Sequence, residues 1–121
     1  MKRKAGARYE LRPRIRVLRG GTIVLGPGKA DLLEAIAATE ELRAAARRLG
    51  MSYMRAWTLL QAMNRAFGRP VVETRRGGRA HGAARLTPVG RRALALYRQM
   101  ERESAEACAG TWHRLRRLLP R

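Results

Sequence analysis

The side chains with most to offer chemically lie in one short run. Gly50 and Met51 are followed by Ser52, Tyr53, Met54 and Arg55, with Thr58 one turn further on. An arginine carries a planar fork of donors that matches the paired acceptors on the major-groove edge of guanine, and seryl or tyrosyl hydroxyls bond phosphate or a base edge. A second group, Arg75, Arg76, Arg79 and Arg85, is interleaved with Gly77, Gly78 and Gly82. Its charge therefore comes with a backbone that can approach another surface closely. Both groups suit the binding of a polyanion rather than the making or breaking of a bond.

Residues that would build a catalyst are scattered. His81 and His113 are far apart, no acidic pair sits beside either, and Cys108 has no second thiol. His113 follows Cys108 at a spacing that, at about 100° per residue, puts the two on different helix faces. The glycine-rich stretch lies between strand patterns rather than ahead of a helix, and it lacks the Gly-Lys-Ser/Thr of a phosphate-cradling loop. A metal-dependent nuclease would need clustered carboxylates or histidines that are missing here. The chain is expected to be no enzyme and to need no cofactor or metal.

Composition points the same way. The 121 residues hold 27 basic against 9 acidic side chains, a formal net charge of +18. Such a charge favours nucleic acid, because binding releases the counterions condensed on the polyanion. Only Lys2, Lys4 and Lys29 are lysine, a bias that genomic base composition would also produce. With 45% hydrophobic and 5% aromatic residues, the chain should fold as one domain around Leu, Ala, Val and Met. A single cysteine and the lack of any apolar run near the roughly 20 residues that span a bilayer suggest a cytoplasmic protein with no membrane partner.

The elements that must position these groups follow from periodicity. Residues 1–12 form a basic, partly disordered tail, and residues 13–121 one domain ending in a dimerisation helix. Ile15, Val17, Ile23 and Leu25 alternate around Gly20-Gly21, which predicts a hairpin or two short strands that Gly26-Pro27-Gly28 ends. From Lys29, the residues Leu32, Leu33, Ile36 and Ala37 predict a first helix. Thr39 is a candidate cap for a second, with Glu40 and Glu41 in its first turn and Leu42, Ala45, Ala46 and Leu49 on its apolar face. Residues 22–50 balance four basic against four acidic side chains, as a structural platform would.

Gly50 supplies a turn, and Ser52 caps a third helix running to about Phe67, with Trp57, Leu60, Met63 and Phe67 as its buried stripe. That spacing favours core packing of Trp57 over base stacking. Val71 to Arg75 and Ala84 to Leu86 read as a hairpin with a flexible basic tip at Gly77 to Gly82. Thr87 and Pro88 fit the cap and first position of a long last helix, with Val89, Ala93, Leu96 and Met100 on its apolar side and Gly110 bending or ending it.

Helix, helix, glycine turn, helix, hairpin is the order of a winged helix-turn-helix, here mainly α with a small β content, an N-terminal strand pair and a long C-terminal helix. "AARRLGMSYMRAW", the glycine-rich basic hairpin and "LTPVGRRALALY" together resemble the N-terminal DNA-binding domain of the molybdate-responsive ModE family, similar in turn to LysR-type winged helices. "LRPRIRVLRGGTIVLGPGKADLLEAI" resembles that family's opening strands and first helix. Glu40-Glu41-Leu42 replaces the Gly-Ser usual before the second helix. The family's oxyanion-binding domain is not expected within these residues.

The resemblance implies double-stranded DNA as partner, with Ser52, Tyr53 and Arg55 at the groove and Met54 and Thr58 at its margin. Tyr53 packing on the platform and Arg55 standing in solvent are the alternatives. Arg75, Arg76, Arg79 and Arg85 would reach phosphates or a minor groove from the wing. The apolar side of the last helix implies a homodimer through Pro88 to Ala109, with folding back onto the first helix as the alternative. A link to molybdate or another oxyanion follows from the resemblance, with Arg114, Arg116 and Arg117 as the residues to meet such an effector.

Two functions are consistent with all this. One is a sequence-specific transcriptional regulator. The other is a binder of RNA or nucleoid DNA that uses its arginine-rich surfaces without sequence preference.

Overall fold

The computed structural model describes residues 8–75 and 82–121. Alternation around Gly20-Gly21 yields an antiparallel hairpin of β1 (Val17–Arg19) and β2 (Thr22–Leu25), with Gly20 at φ +60° in the turn. The hairpin lies on the surface: Leu25 is buried, whereas Val17 and Ile23 stay exposed. Residues 8–12 take no regular secondary structure.

α1 (Pro27–Thr39) starts two residues before Lys29, because proline is well suited to a first helical turn. It buries Ala30, Leu32, Leu33, Ala35 and Ile36. Ala37, expected on this face, is exposed; about 100° beyond Ile36, it passes the solvent edge of the stripe. Thr39, the expected cap of the second helix, instead closes the first, donating from Oγ1 to the Ala35 carbonyl at 2.8 Å. Glu40 follows in the left-handed conformation at φ 54°, and Glu41 becomes the N-cap of α2 (Leu42–Arg48), so neither acid lies in the first turn of that helix.

α2 buries Leu42, Ala45 and Ala46, the two alanines allowing close packing on the next helix. Gly50, at φ +67°, makes the turn. α3 (Tyr53–Phe67) is capped by Ser52, whose Oγ accepts from the Arg55 amide at 3.1 Å. Ala56, Leu60 and Met63 are its buried residues, and Trp57 and Phe67 are only partly buried against the core.

β3 (Val72–Thr74) pairs antiparallel with β4 (Ala84–Leu86), Val72 opposite Leu86. The wing has a third member that periodicity does not signal: Glu41 bridges Ala83, and the Ala84 amide donates to the Glu40 carbonyl at 3.0 Å. Asn64 fixes the wing to α3, its Oδ1 accepting from the Val71 and Val72 amides at 2.8 and 3.3 Å and its Nδ2 donating to the Val72 carbonyl at 3.2 Å. Much of the wing tip expected at Gly77 to Gly82, with Arg76 and Arg79, lies outside the described residues.

Thr87 caps α4 (Pro88–Arg116), accepting from the Gly90 amide at 3.0 Å and donating to the Pro70 carbonyl at 2.8 Å. Gly110 does not end this helix, which runs through it to Arg116. An isolated helical glycine costs only about 1 kcal/mol relative to alanine, too little to stop a long run of good helix formers. The side of α4 that meets the core carries Gly90 and Tyr97, with Val89 and Leu94 beside them. Leu96 and Met100 are 49% and 37% exposed, so the apolar residues of α4 divide between two faces.

The Tyr97 hydroxyl donates to the Ile15 carbonyl at 2.7 Å, holding the N-terminal segment on α4. Arg98 bonds Asp31, Glu34 and Glu101 at 2.9, 3.2 and 2.9 Å and ties α4 to α1. Burial pulls the Arg98 pKa down, but the bonds to Asp31 and Glu101 and the charge of Glu34 outweigh it, so the guanidinium is held more firmly protonated than usual. Among the described residues no helix is long and apolar enough to cross a membrane.

Candidate nucleic-acid interface

The N-terminal end of α3 stands clear of the core. Ser52, Tyr53, Met54, Arg55 and Thr58 are all exposed, Met54 to 65%. No acidic residue lies in the first turn of α3, so the positive end of its dipole is unopposed there. Ser52 Oγ uses a lone pair on the cap but keeps its proton to donate. Thr58 Oγ1 donates to the Met54 carbonyl at 2.9 Å and retains only acceptor capacity. Tyr53 is 36% exposed, and its ring carries the Arg43 guanidinium of α2 4.8 Å from the centroid.

A cleft opens on each side of this helix end. Toward the wing, about 290 Å³ is lined by Leu42, Tyr53, Met54, Trp57, Thr74, Arg75, Gly82 and Ala83. Trp57 thus has one edge on the core and another in the cleft, a double placement that a single apolar stripe does not predict. On the far side, about 330 Å³ is lined by Arg14, Arg16, Ile23, Gly26, Pro27, Gly28, Lys29, Met51, Arg55 and Leu59. The most telling of the expected site residues, Arg55, therefore faces away from the wing, while Tyr53 and Met54 face toward it.

On the wing, Arg75 joins the backbone of the hairpin base, its amide donating to the Ala83 carbonyl at 2.9 Å and its own carbonyl accepting from the Gly82 amide at 3.0 Å. Its side chain is exposed and lines the wing-side cleft. Arg85 is paired with Glu40 at 3.2 Å, both side chains being well exposed. An exposed pair of this kind is worth roughly 0–1 kcal/mol, so a phosphate can take the guanidinium over. Arg76 and Arg79 lie outside the described residues.

Several residues at this surface are invisible to motif reading. Arg43 reaches it by stacking on Tyr53 across two helices, and Arg14, Arg16 and Lys29 reach it through the β1–β2 hairpin and the start of α1. Lys29 Nζ donates to the Ile23 carbonyl at 2.5 Å, and partial burial lowers its pKa. At the other end of the molecule Arg116 stacks on Tyr9 at 4.4 Å, while Arg114 and Arg117 are exposed.

Comparison with known proteins bears on the family and the fold. Residues 29–91 match the sequence model of bacterial regulatory helix-turn-helix proteins of the lysR family. The chain is 44% identical over 77 residues to the molybdenum-pterin-binding protein MopB of Rhodobacter capsulatus, covering 64% of this chain and 28% of that protein. It is 35% identical over 71 residues to the DNA-binding transcriptional dual regulator ModE of Escherichia coli strain K12, covering 59% and 27%. The chain thus matches less than a third of the length of either relative. Among solved structures, the DNA-binding domain of CbnR in complex with DNA superposes with a TM-score of 0.51 at 24% identity, covering 75% of this chain and 94% of that one. That likeness concerns the fold, a winged helix-turn-helix with a long C-terminal helix.

Proposed function

The chain belongs to the lysR family of bacterial regulatory helix-turn-helix proteins, and from that premise we propose that it is a sequence-specific DNA-binding transcriptional regulator with no catalytic role. The observation that carries this reading is the exposed, acid-free end of α3, where Arg55 and Met54 face opposite clefts. B-DNA's major groove, about 12 Å wide, admits one helix. With α3 in it, Arg55 reads a guanine edge through two donors, Met54 packs on a thymine methyl, Ser52 and Tyr53 bond phosphate or base edges, and Thr58 lies at the margin with an acceptor free for a base amino group. Arg75 and Arg85, together with Arg76 and Arg79, supply phosphate or minor-groove contacts from the wing.

The protein acts as a homodimer through Pro88 to Ala109 of α4, in the cytoplasm. The exposed Leu96 and Met100 support the dimer. The link to molybdate or another oxyanion rests on the names of the relatives, and Arg114, Arg116 and Arg117 are the residues available to such an effector. Calorimetry with molybdate and tungstate tests it, and an absence of heat removes it.

Selection of binding sites from random duplex DNA at near-physiological salt tests the function itself. Recovery of an inverted repeat with half-sites about 34–36 Å apart, or a multiple of that, is the expected result. An unenriched pool bound with steep salt dependence would instead identify a binder without sequence preference.

A further inference from the structure

The cleft on the side of α3 away from the wing is an accumulation of positive charge that a structural platform does not need. Four basic side chains from three separate segments line it: Arg14 and Arg16 before and beside β1, Lys29 in the first turn of α1, and Arg55 in the first turn of α3. No carboxylate is among its lining residues. The nearby acids are spent elsewhere, Asp31, Glu34 and Glu101 all being engaged by Arg98. Among the described residues the guanidinium groups of Arg14, Arg16 and Arg55 have no hydrogen-bond, ion-pair or ring partner.

Like charges gathered in this way repel one another, so an anion that enters the cleft gains attraction and relieves that repulsion together. Arg55 belongs both to this cleft and to the exposed end of α3. A duplex seated on α3 thus comes close to the cleft that Arg14 and Arg16 line. Gly28 on the rim has open space where a side chain would stand, which leaves room for a backbone to pass.

We propose that this cleft is a second DNA-contact surface, seating backbone phosphates on the side of the recognition helix opposite the wing, with Arg14 and Arg16 as the phosphate-binding residues. The proposal rests on the DNA-binding reading and extends it: α3 is flanked by arginines on both sides, so the duplex is gripped from the wing and from the N-terminal hairpin. Contacts of this kind carry no sequence information and act equally on all duplexes.

The test compares the full chain with the double variant Arg14→Ala/Arg16→Ala. Affinity is measured by fluorescence anisotropy for a selected site and for a random duplex across a range of salt, with thermal melting as the check on folding. Each phosphate contact contributes about 0.9 to the slope of log affinity against log salt, which is roughly fivefold in affinity at 0.15 M relative to 1 M. The expected result is a slope shallower by about 1 to 2 on both duplexes, with the preference between them unchanged. Arg14→Lys/Arg16→Lys should keep most of the slope, because the charge is retained.

If the wild-type chain selects a site and the alanine variant binds it with unchanged affinity and slope, the cleft proposal is overturned and the regulator reading stands. If the wild type selects no site but its duplex binding depends on the two arginines, the cleft stands and sequence specificity falls. A melting shift by inorganic phosphate at fixed ionic strength that is lost in the alanine variant, with the DNA slope unchanged, would put a free ion in the cleft and overturn the proposal.

Discussion

On the proposed reading, Arg55 is the residue on which sequence preference turns. Its side chain is free of partners among the described residues, it springs from the first turn of α3, and its backbone amide is held by the Ser52 cap at 3.1 Å. A preorganised stem with a free fork is what bidentate recognition of guanine requires. Arg55→Ala is therefore expected to weaken the selected site by about 1–3 kcal/mol and to relax the preference at one base position, while binding to random duplex changes little. Arg55→Lys keeps the charge but not the fork, so it too should leave the preference relaxed. Competition binding with single-base variants of the site checks this, and equal losses on selected and random DNA would remove Arg55 from base reading. The two caps, Ser52 and Thr87, were legible from sequence because an N-cap bonds an amide three residues on and depends on nothing distant. Arg43 was not, since its partner Tyr53 comes from another helix.

At the scale of elements, glycine means opposite things at two places in one helix. A Cβ at Gly90 would stand 2.0 Å from the Val71 carbonyl oxygen, whereas a Cβ at Gly110 would meet nothing within 4 Å. Gly90→Ala is expected to force α4 off the base of the wing and destabilise the fold by about 1–3 kcal/mol, the usual cost of overpacking. Gly110→Ala should instead stabilise α4 by about 0.5–1 kcal/mol, since glycine in a helix interior gives up more backbone freedom than alanine. Thermal and urea melts of the two variants should move in opposite directions; a Gly90→Ala variant as stable as the wild type would contradict the close approach at Gly90. The same contrast explains what the sequence could disclose. α1 and α3 announce themselves through apolar spacing, which is local. The start of α2 does not, because the Glu40 carbonyl accepts the Ala84 amide and Glu41 bridges Ala83, so bonds to a strand more than forty residues on hold the turn. The clamp by Asn64 was hidden for a similar reason, since an asparagine within a helix gives no sign that its amide will serve as a piece of strand.

For the molecule as a whole, charge and apolar surface pull in opposite directions. A chain of +18 repels a second copy, yet α4 presents Leu96, Met100, Ala107, Thr111 and Leu115 at spacings of four and seven residues, a stripe that faces solvent in the single chain. At about 100° per residue these positions stay within one sector of the helix, and burying them against their symmetry mates would cover a surface that isolated proteins seldom leave open. The two forces answer differently to salt. Screening weakens repulsion between copies while leaving apolar burial nearly untouched, whereas DNA binding loses its counterion-release gain. Raising salt from 0.05 to 0.3 M should therefore tighten self-association and loosen DNA binding in the same preparation. Sedimentation equilibrium of the full chain should give twice the chain mass at micromolar concentration in the higher salt. Leu96→Glu/Met100→Glu, placed on the exposed face and away from the core side that carries Gly90 and Tyr97, should remain folded, sediment as a monomer and bind one half-site without cooperativity. A wild-type chain that stays monomeric at every salt concentration would rule out the dimer, and the inverted repeat should then give way to a single half-site, because the symmetry of the operator is inherited from the symmetry of the protein.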